Sequence, residues 1–339
     1  MNDLKLGLQQ EIEKIHFNKI EGMEIFEREL YNALADSKGV IREMCSHILC
    51  AGGKRIRPLL VMHSGLIFSE LTEELLQAAV AAELIHMASL IHDDIIDNSI
   101  LRRSKPTINE IWGNQFAVLC GDYLFAKAFG ILSGERVLKG MDLMVEAIEN
   151  MCQGEILQAS EKFRVESSEE VYYERIAKKT AIFLQNCCKS GAEVSGANKE
   201  QAEALGEYGL NLGYAYQILD DVMDFCGNTD EMGKPKREDL RQGIITLPVI
   251  HLLKNKKYGG WLNRSIHNKD FSMEMLGQVE CALIETGILV NCYKTAEFHM
   301  DKANQCLQKL PQTEFTFKMY EVTEMLHTYT GKITAYLQV

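Results

Sequence analysis

The stretch QAAVAAELIHMASLIHDDIID, Gln77 to Asp97, decides the fold. From Gln77 to His92, apolar and small residues occupy every helical offset and no period-two alternation competes, so the segment reads as a helix that is apolar on all sides. Such a helix has to be wrapped by others. Its end reverses the chemistry: Asp93, Asp94 and Asp97 stand together, and the continuation NSILRR brings Arg102 and Arg103 within two turns. A wrapped helix that ends in like charges points to a cavity in which something compensates them.

The rest of the chain agrees with a helical reading. Residues of roughly 72 to 101, 114 to 131, 135 to 162, 168 to 195 and 200 to 226 carry helical periodicity, and only five prolines interrupt the 339 residues. The expected class is all-α. No Pro, Gly or Ser-rich linker and no compositional break divides the chain, so one domain over residues 1–339 is expected. Lys and Arg number 36 against 48 Asp and Glu, a net charge of −12, which disfavours nucleic acid as a partner while leaving room for a small anion held by local basic clusters. The ten cysteines are scattered, without CxxC pairs. The N-terminus has no basic start followed by an apolar run, and no segment reaches roughly 18 uninterrupted apolar residues. A cytoplasmic protein without a transmembrane segment is expected.

The acidic pattern recurs. QILDDVMDF, Gln217 to Phe225, sets Asp220, Asp221 and Asp224 at the spacing of Asp93, Asp94 and Asp97. Positions i, i+3 and i+4 share a helix face, so each DDxxD turns two or three carboxylates to one side. Repulsion and desolvation make such a face unfavourable unless cations sit among them, and a hard, oxygen-preferring ion such as Mg²⁺ is the natural compensation. Two such faces across a cavity would hold a cluster of Mg²⁺ ions with open positions for a polyphosphate. One DDxxD alone fits a solvated acidic patch equally well; two copies, each inside an apolar helix, fit it poorly. Neither copy has the central Gly or closing Glu of an EF-hand. The anion-binding half comes from AGGKRIRP, Ala51 to Pro58, where two glycines suit a helix end, Lys54, Arg55 and Arg57 follow, and Pro58 suits a new helix start. The Walker spacing is absent, and taken alone the turn also fits an exposed basic loop. Arg102 and Arg103, Lys179 with Thr180, Gln217 and Lys234 add further donors, the guanidinium fork matching phosphate oxygens.

GGKRIRP, LIHDDIIDNSILRRSKPT, GDYLFAKA, KKTA, YAYQILDDVMD and GKPKREDLRQGIITLP, in that order over about residues 35 to 255, together resemble the trans-isoprenyl diphosphate synthases, the polyprenyl synthetase family. The resemblance implies a bundle of mostly antiparallel helices around a central cavity, normally a homodimer, with three Mg²⁺ ions. It implies head-to-tail condensation of an allylic diphosphate with isopentenyl diphosphate, releasing pyrophosphate. By position, Asp93 and Asp97 hold two Mg²⁺ ions and Asp220 a third, with Asp94 and Asp224 supporting them. Arg102, Lys179 and Lys234 grip the allylic diphosphate, and Lys54, Arg57, His86 and Arg103 take the other diphosphate. Thr180 and Gln217 offer neutral dipoles to the allylic cation. His86 by itself equally fits a satisfied core histidine; its place in LIHMASLIHDD favours binding. Ala88 and Ser89, one turn before Asp93, are expected to meet the tail of the growing chain, and their small size implies a long product of the hexaprenyl to octaprenyl kind used for quinone side chains, with farnesyl or geranylgeranyl diphosphate as the alternative.

Three departures from the family pattern stand out. Ser104 replaces the usual Gly of RRGKP. In GKPKREDLRQGIITLP the usual Gly near Arg237 and the usual Lys at Ile244 are absent, Arg237 or Arg241 being candidates to compensate. The C-terminal YTGKITAYLQV lacks the basic ending of some members. A class I terpene cyclase shares the first motif but typically replaces the second and has no use for GGKRIRP. A non-catalytic subunit typically loses the aspartates that stand here. A catalytic subunit that needs a small accessory partner remains open.

Overall fold

The computed structural model describes residues 22–103, 105–134, 137–226 and 237–337, with backbone alone from residue 328 on. Among these residues the secondary structure is helical apart from one short hairpin, β1 (Leu101–Arg102) paired antiparallel with β2 (Lys105–Pro106). Two compact units divide the chain.

The first unit takes Met1–Glu146, Asn186–Leu205 and Thr313–Thr316. It contains α1 (Met23–Leu34), α2 (Gly39–Cys50), α3 (Ile56–Leu66), α4 (Glu73–Ile96), α5 (Ile108–Trp112) and α6 (Asn114–Leu132), and α7 (Leu138–Ser160) begins in it. Helix α4 starts at Thr72, whose hydroxyl accepts the Leu75 N–H at 3.1 Å, and Glu73 and Glu74 suit the positive end of the helix dipole. Alanines 78, 79, 81, 82 and 88 are fully buried on α4 and let its neighbours approach closely. It packs against α3 and most extensively against α6. The α4–α6 pair is antiparallel: His92 lies against Gly121 at one end, while Val80 and Ile131 line one cavity at the other.

Helix α4 ends sooner than the sequence led us to expect, at Ile96 rather than near residue 101. Asn98 adopts a left-handed φ of 51°, and the Ser99 N–H turns back to the Asp94 carbonyl at 2.8 Å, which closes the helix and frees the hairpin. The hairpin is tied to the end of α2, with Lys105 Nζ donating to the Cys50 carbonyl and the His47 ring bonded to the Pro106 carbonyl at 2.8 Å. Helices α4 and α6 are each long and apolar enough to cross a membrane by length and composition, although neither has an uninterrupted apolar run. The apolar character of α4 is used inside the unit, where most of it is buried; α6 leaves Phe116, Val118 and Leu119 exposed.

The second unit takes Ala147–Gln185, Gly206–Gln312 and Phe317–Val339. It includes α8 (Glu169–Ile176), a π-helical turn (Ala177–Ala181), the start of α9 (Ile182–Val194), most of α10 (Lys199–Cys226), α11 (Glu238–Arg241), α12 (Leu247–Leu253), α13 (Gly259–His267), α14 (Met273–Glu285), α15 (Ile288–Leu307) and most of α16 (Glu314–Leu337). The expected helix over 168–195 is therefore interrupted at KKTA, a π-turn of the kind often found at functional sites. Gly209 and Gly213, one turn apart on α10, allow its backbone to lie on that segment: a Cβ at Gly209 would press on the Leu184 carbonyl, and one at Gly213 would overlap Ala181. The next residue on this stripe is Gln217.

This contact predicts opposite outcomes for two glycine replacements. Gly209→Ala forces two backbones apart and should destabilise by about 1–3 kcal/mol, whereas Gly277→Ala, in α14 with open space around it, should stabilise by up to about 1 kcal/mol. Denaturant unfolding of both variants beside the parent chain checks the contrast.

Candidate active site

In the first unit, the end of α4 and the turn before α3 meet. Gly52 takes a left-handed φ of 66° and Arg55 one of 48°, so the chain leaves α2, reverses and enters α3 with Arg55 as the N-cap residue. Arg57, in the first turn of α3, bonds to His86 Nε2 at 3.1 Å. Burial, with Arg57 and Arg103 close by, holds His86 well below the ordinary histidine value, so the ring is neutral and accepts from the guanidinium. Arg103 lies over the turn: a Cβ on Gly53 would stand 2.8 Å from its guanidinium nitrogen. Lys54 is exposed beside it. Four expected diphosphate ligands, Lys54, Arg57, His86 and Arg103, are thus brought to one corner.

The carboxylates of the first motif separate into two environments. Asp94 is buried and receives Arg102 Nε at 2.9 and 3.0 Å, with Nη2 at 2.7 Å; burial nevertheless holds its carboxyl above the usual range. Arg102, expected on a diphosphate, is here engaged with a neighbouring aspartate. Asp93 is half-buried and Asp97 exposed. Ala88 is fully buried, and the Ser89 hydroxyl folds back to the His86 carbonyl at 2.9 Å, so neither residue offers a free polar group.

In the second unit a chain of hydrogen bonds runs from the π-turn through α10. Thr180 Oγ1 donates to Gln217 Oε1 at 3.0 Å, Gln217 Nε2 donates to Asp221 Oδ1 at 3.1 Å, and Tyr172 Oη donates to Asp221 Oδ2 at 2.7 Å. The two dipoles expected to line a cation pocket are bonded to each other, with Asp221 fixing the orientation of the amide. Lys179 is paired with Glu155, and Gly154 leaves room for the Lys179 backbone. Asp220 is exposed, whereas Asp224 is buried, its carboxylate accepting the Glu238 N–H at 3.3 Å and its carbonyl the Arg237 N–H at 2.9 Å. Lys234 and Ser104 lie outside the described residues. The two candidates for replacing the missing lysine are otherwise engaged: Arg237 pairs with Glu280 and Arg241 with Glu238. Ile244 is buried.

The donor set fits Mg²⁺. Among the described residues no three ligating side chains are gathered into a closed metal cage, and Mg²⁺ characteristically keeps waters and takes one or two carboxylates together with phosphate oxygens. Asp93 and Asp97, one turn apart and reaching solvent, supply hard oxygens in that number, as Asp220 does in its unit. Reasoning from sequence had passed over Glu83, Glu155 and Tyr172. Glu83 carried a signal, a lone charge inside an apolar run one turn before His86; nothing in the sequence marked Tyr172.

The profile of the polyprenyl synthetase family matches residues 38–280. The chain is 36% identical over 292 residues to the heptaprenyl diphosphate synthase component 2 of Bacillus subtilis, covering 86% of this chain and 83% of that one. It is 34% identical to the geranylgeranyl diphosphate synthase of Saccharolobus solfataricus, over 89% of this chain and 93% of the other. The crystal structure of a decaprenyl diphosphate synthase from Rhodobacter capsulatus superposes with a TM-score of 0.86 at 29% identity, covering 93% of this chain and 98% of that one.

Asp221 generates a pH prediction. Burial, followed by the charge of Asp239, lifts its carboxyl to about 7 against the partial opposition of Tyr172. The folded chain then keeps a proton that the unfolded chain releases near the ordinary value of about 3.9. Stability of the metal-free protein should fall as pH rises from about 4 to about 7 and be insensitive to this group above that. In chelator, Asp221→Asn should flatten that part of the stability profile; an identical slope in parent and variant would contradict the assignment.

Proposed function

The chain belongs to the polyprenyl synthetase family, and on that premise we propose that it is a trans-prenyltransferase condensing an allylic diphosphate head-to-tail with isopentenyl diphosphate. The observation that carries the reading is the corner of the first unit, where Arg57 bonds to His86, Arg103 lies over Gly53 with its charge felt at His86, and the helix that carries His86 ends in Asp93 and Asp97. Cations and carboxylates interleaved in this way suit a diphosphate brought with its metal. Asp93 and Asp97 are assigned to two Mg²⁺ ions and Asp220 to a third, with Asp94 and Asp224 holding their positions. Magnesium, when bound, supplies charge neutralisation of the departing pyrophosphate. Lys54, Arg57, His86 and Arg103 bind isopentenyl diphosphate, and the neutral His86 orients Arg57. Arg102, Lys179 and Lys234 bind the allylic diphosphate; for Arg102 and Lys179 this means that Asp94 and Glu155 share or release them as the ligand arrives. Thr180 and Gln217 present fixed dipoles to the allylic carbon as its bond to oxygen breaks. The proton lost from the alkene passes to the released pyrophosphate, so no protein base is assigned.

The product is assigned to the long-chain class, supported by the absence of bulk at Ala88 and by a serine whose hydroxyl is satisfied locally. The enzyme is assigned to the cytoplasm and to a homodimer, in which the exposed Phe116, Val118 and Leu119 of α6 would be covered. A small accessory subunit is a second arrangement, favoured by the likeness to a protein named as one component of a synthase.

Three measurements test the reading. Asp93→Ala should lower turnover by about 10²–10³ or more with unchanged helical circular dichroism; near-normal turnover at ordinary Mg²⁺ sinks the metal assignment. Under excess isopentenyl diphosphate, chromatography of dephosphorylated products should show chains longer than geranylgeraniol, and Ala88→Phe should shorten them. Farnesol or geranylgeraniol from the parent chain would instead assign the short-chain class, and purified chain that is active only after a second subunit is added would decide the partner.

A further inference from the structure

Two arginines two residues apart, Arg55 at the N-cap of α3 and Arg57 in its first turn, are gripped by two residues three apart on α4. Arg57 bonds to His86; Arg55, whose side chain is 9% exposed, donates Nη1 to Glu83 Oε1 at 2.6 Å and Nε to Glu27 Oε1 of α1 at 2.8 Å. Glu83 and His86 occupy one face of α4, so a single stripe of that helix holds the whole turn. The two grips differ in kind. Burial opposes the charge on Arg55, but the two carboxylates that flank it prevail and hold its pKa above the ordinary value, so its guanidinium is committed to them. Arg57 is held by a neutral ring.

Glu83 is 3% exposed, and its Oε2 has no hydrogen-bond partner among the described residues. A buried carboxylate with one oxygen unsatisfied costs stability, so Glu83 is poorly explained as a general stabiliser of the core. What it does secure is the conformation of Arg55. That residue sits at φ 48°, ψ 33°, a left-handed conformation unfavourable for any residue with a Cβ, and it is the N-cap of α3 without a side-chain cap. Such a conformation persists only where the surroundings over-determine it. The direction in which α3 leaves the turn, and therefore the place of Arg57 two residues later, depends on that pin.

We propose that Glu83 is a positioning residue for isopentenyl diphosphate binding, clamping Arg55 so that the turn presents Lys54 and Arg57 in register with His86. The inference rests on the assignment of Arg57 and His86 to that substrate. Arg55 is then a structural cation despite standing between two phosphate ligands in GGKRIR, and Glu27, half-exposed at the other side of Arg55, is the solvent-screened member of the pair that holds it.

Steady-state kinetics of the full-length chain with Mg²⁺ and both substrates tests this. Glu83→Gln should raise the KM for isopentenyl diphosphate at least tenfold while kcat and the KM for the allylic diphosphate change less than twofold; Glu27→Gln should leave all three within twofold. Arg57→Ala, measured in parallel, tests the underlying assignment by its own rise in the same KM. If Arg57→Ala moves that KM and Glu83→Gln does not, the clamp is overturned and the substrate assignment survives. If Arg57→Ala leaves it unchanged, the assignment itself fails and the clamp with it. Equal loss for both substrates together with a lower melting temperature would show Glu83 to be merely structural and overturn the proposal. Should Glu83→Gln not fold, Glu83→Asp, which keeps the charge one methylene shorter, must show the same selective rise, and an unchanged KM in that variant counts against the clamp.

Discussion

The charged stripe on α4 is the constraint on which the first unit depends. A helix buried along most of its length can carry ionisable groups only where each is met by a partner, since an unpaired buried charge costs several kcal/mol. Three groups on α4 are met by three arginines from two loops: Glu83 by Arg55, His86 by Arg57 and Asp94 by Arg102. The spacing of 83, 86 and 94 follows one side of the helix. Both loops are therefore drawn to the same edge of α4, and the hairpin is further fastened to α2 through Lys105 and His47. What remains at the end of the helix, Asp93 and Asp97, reaches solvent because Asn98 breaks the helix one residue later.

The second unit solves the analogous difficulty with hydrogen bonds rather than ion pairs. Asp221 is as buried as Asp94, yet its partners are a phenol and an amide. Desolvation prevails at both carboxyls, and at Asp221, with no guanidinium bonded to it and Asp239 adding its charge, the carboxyl rises to about 7. The network it anchors fixes Gln217, and Gln217 fixes Thr180 in the π-turn, where the glycine stripe of α10 brings the two backbones together. The polar groups beside Lys179 are consequently oriented by the protein's own hydrogen bonds.

Much of this was legible in the sequence, and the gaps have physical causes. The all-α class followed from periodicity because apolar stripes report burial directly. Both DDxxD motifs and the GGKR turn were legible because like charges in an apolar setting demand compensation. The end of α4 was misjudged by five residues because NSIL is apolar enough to continue a helix, and only the left-handed Asn98 stops it. The same-face rule turns two or three of Asp220, Asp221 and Asp224 to one side, and packing decides among them, leaving Asp220 exposed and burying the other two. Partners far apart in sequence, such as Tyr172 with Asp221 or Glu83 with Arg55, leave no local pattern to be read.

The departures in GKPKREDLRQGIITLP become coherent once backbone conformation is considered. Arg237 has φ 61°, ψ 26°, a conformation that glycine adopts without penalty and that a residue with a Cβ adopts at a cost of about 1 kcal/mol or more. The usual glycine in the family pattern at or near this position thus has a steric reason. Here arginine takes the conformation, and its guanidinium is held by the buried Glu280 while its N–H caps the Asp224 carbonyl. Ile244, seven residues on, is buried with its N–H on the Asp239 carbonyl, a setting in which an unpaired lysine ammonium would be poorly tolerated. Both departures are thus engaged within the protein itself: Arg237 holds the glycine-like backbone conformation while paired with Glu280, and Ile244 joins the core.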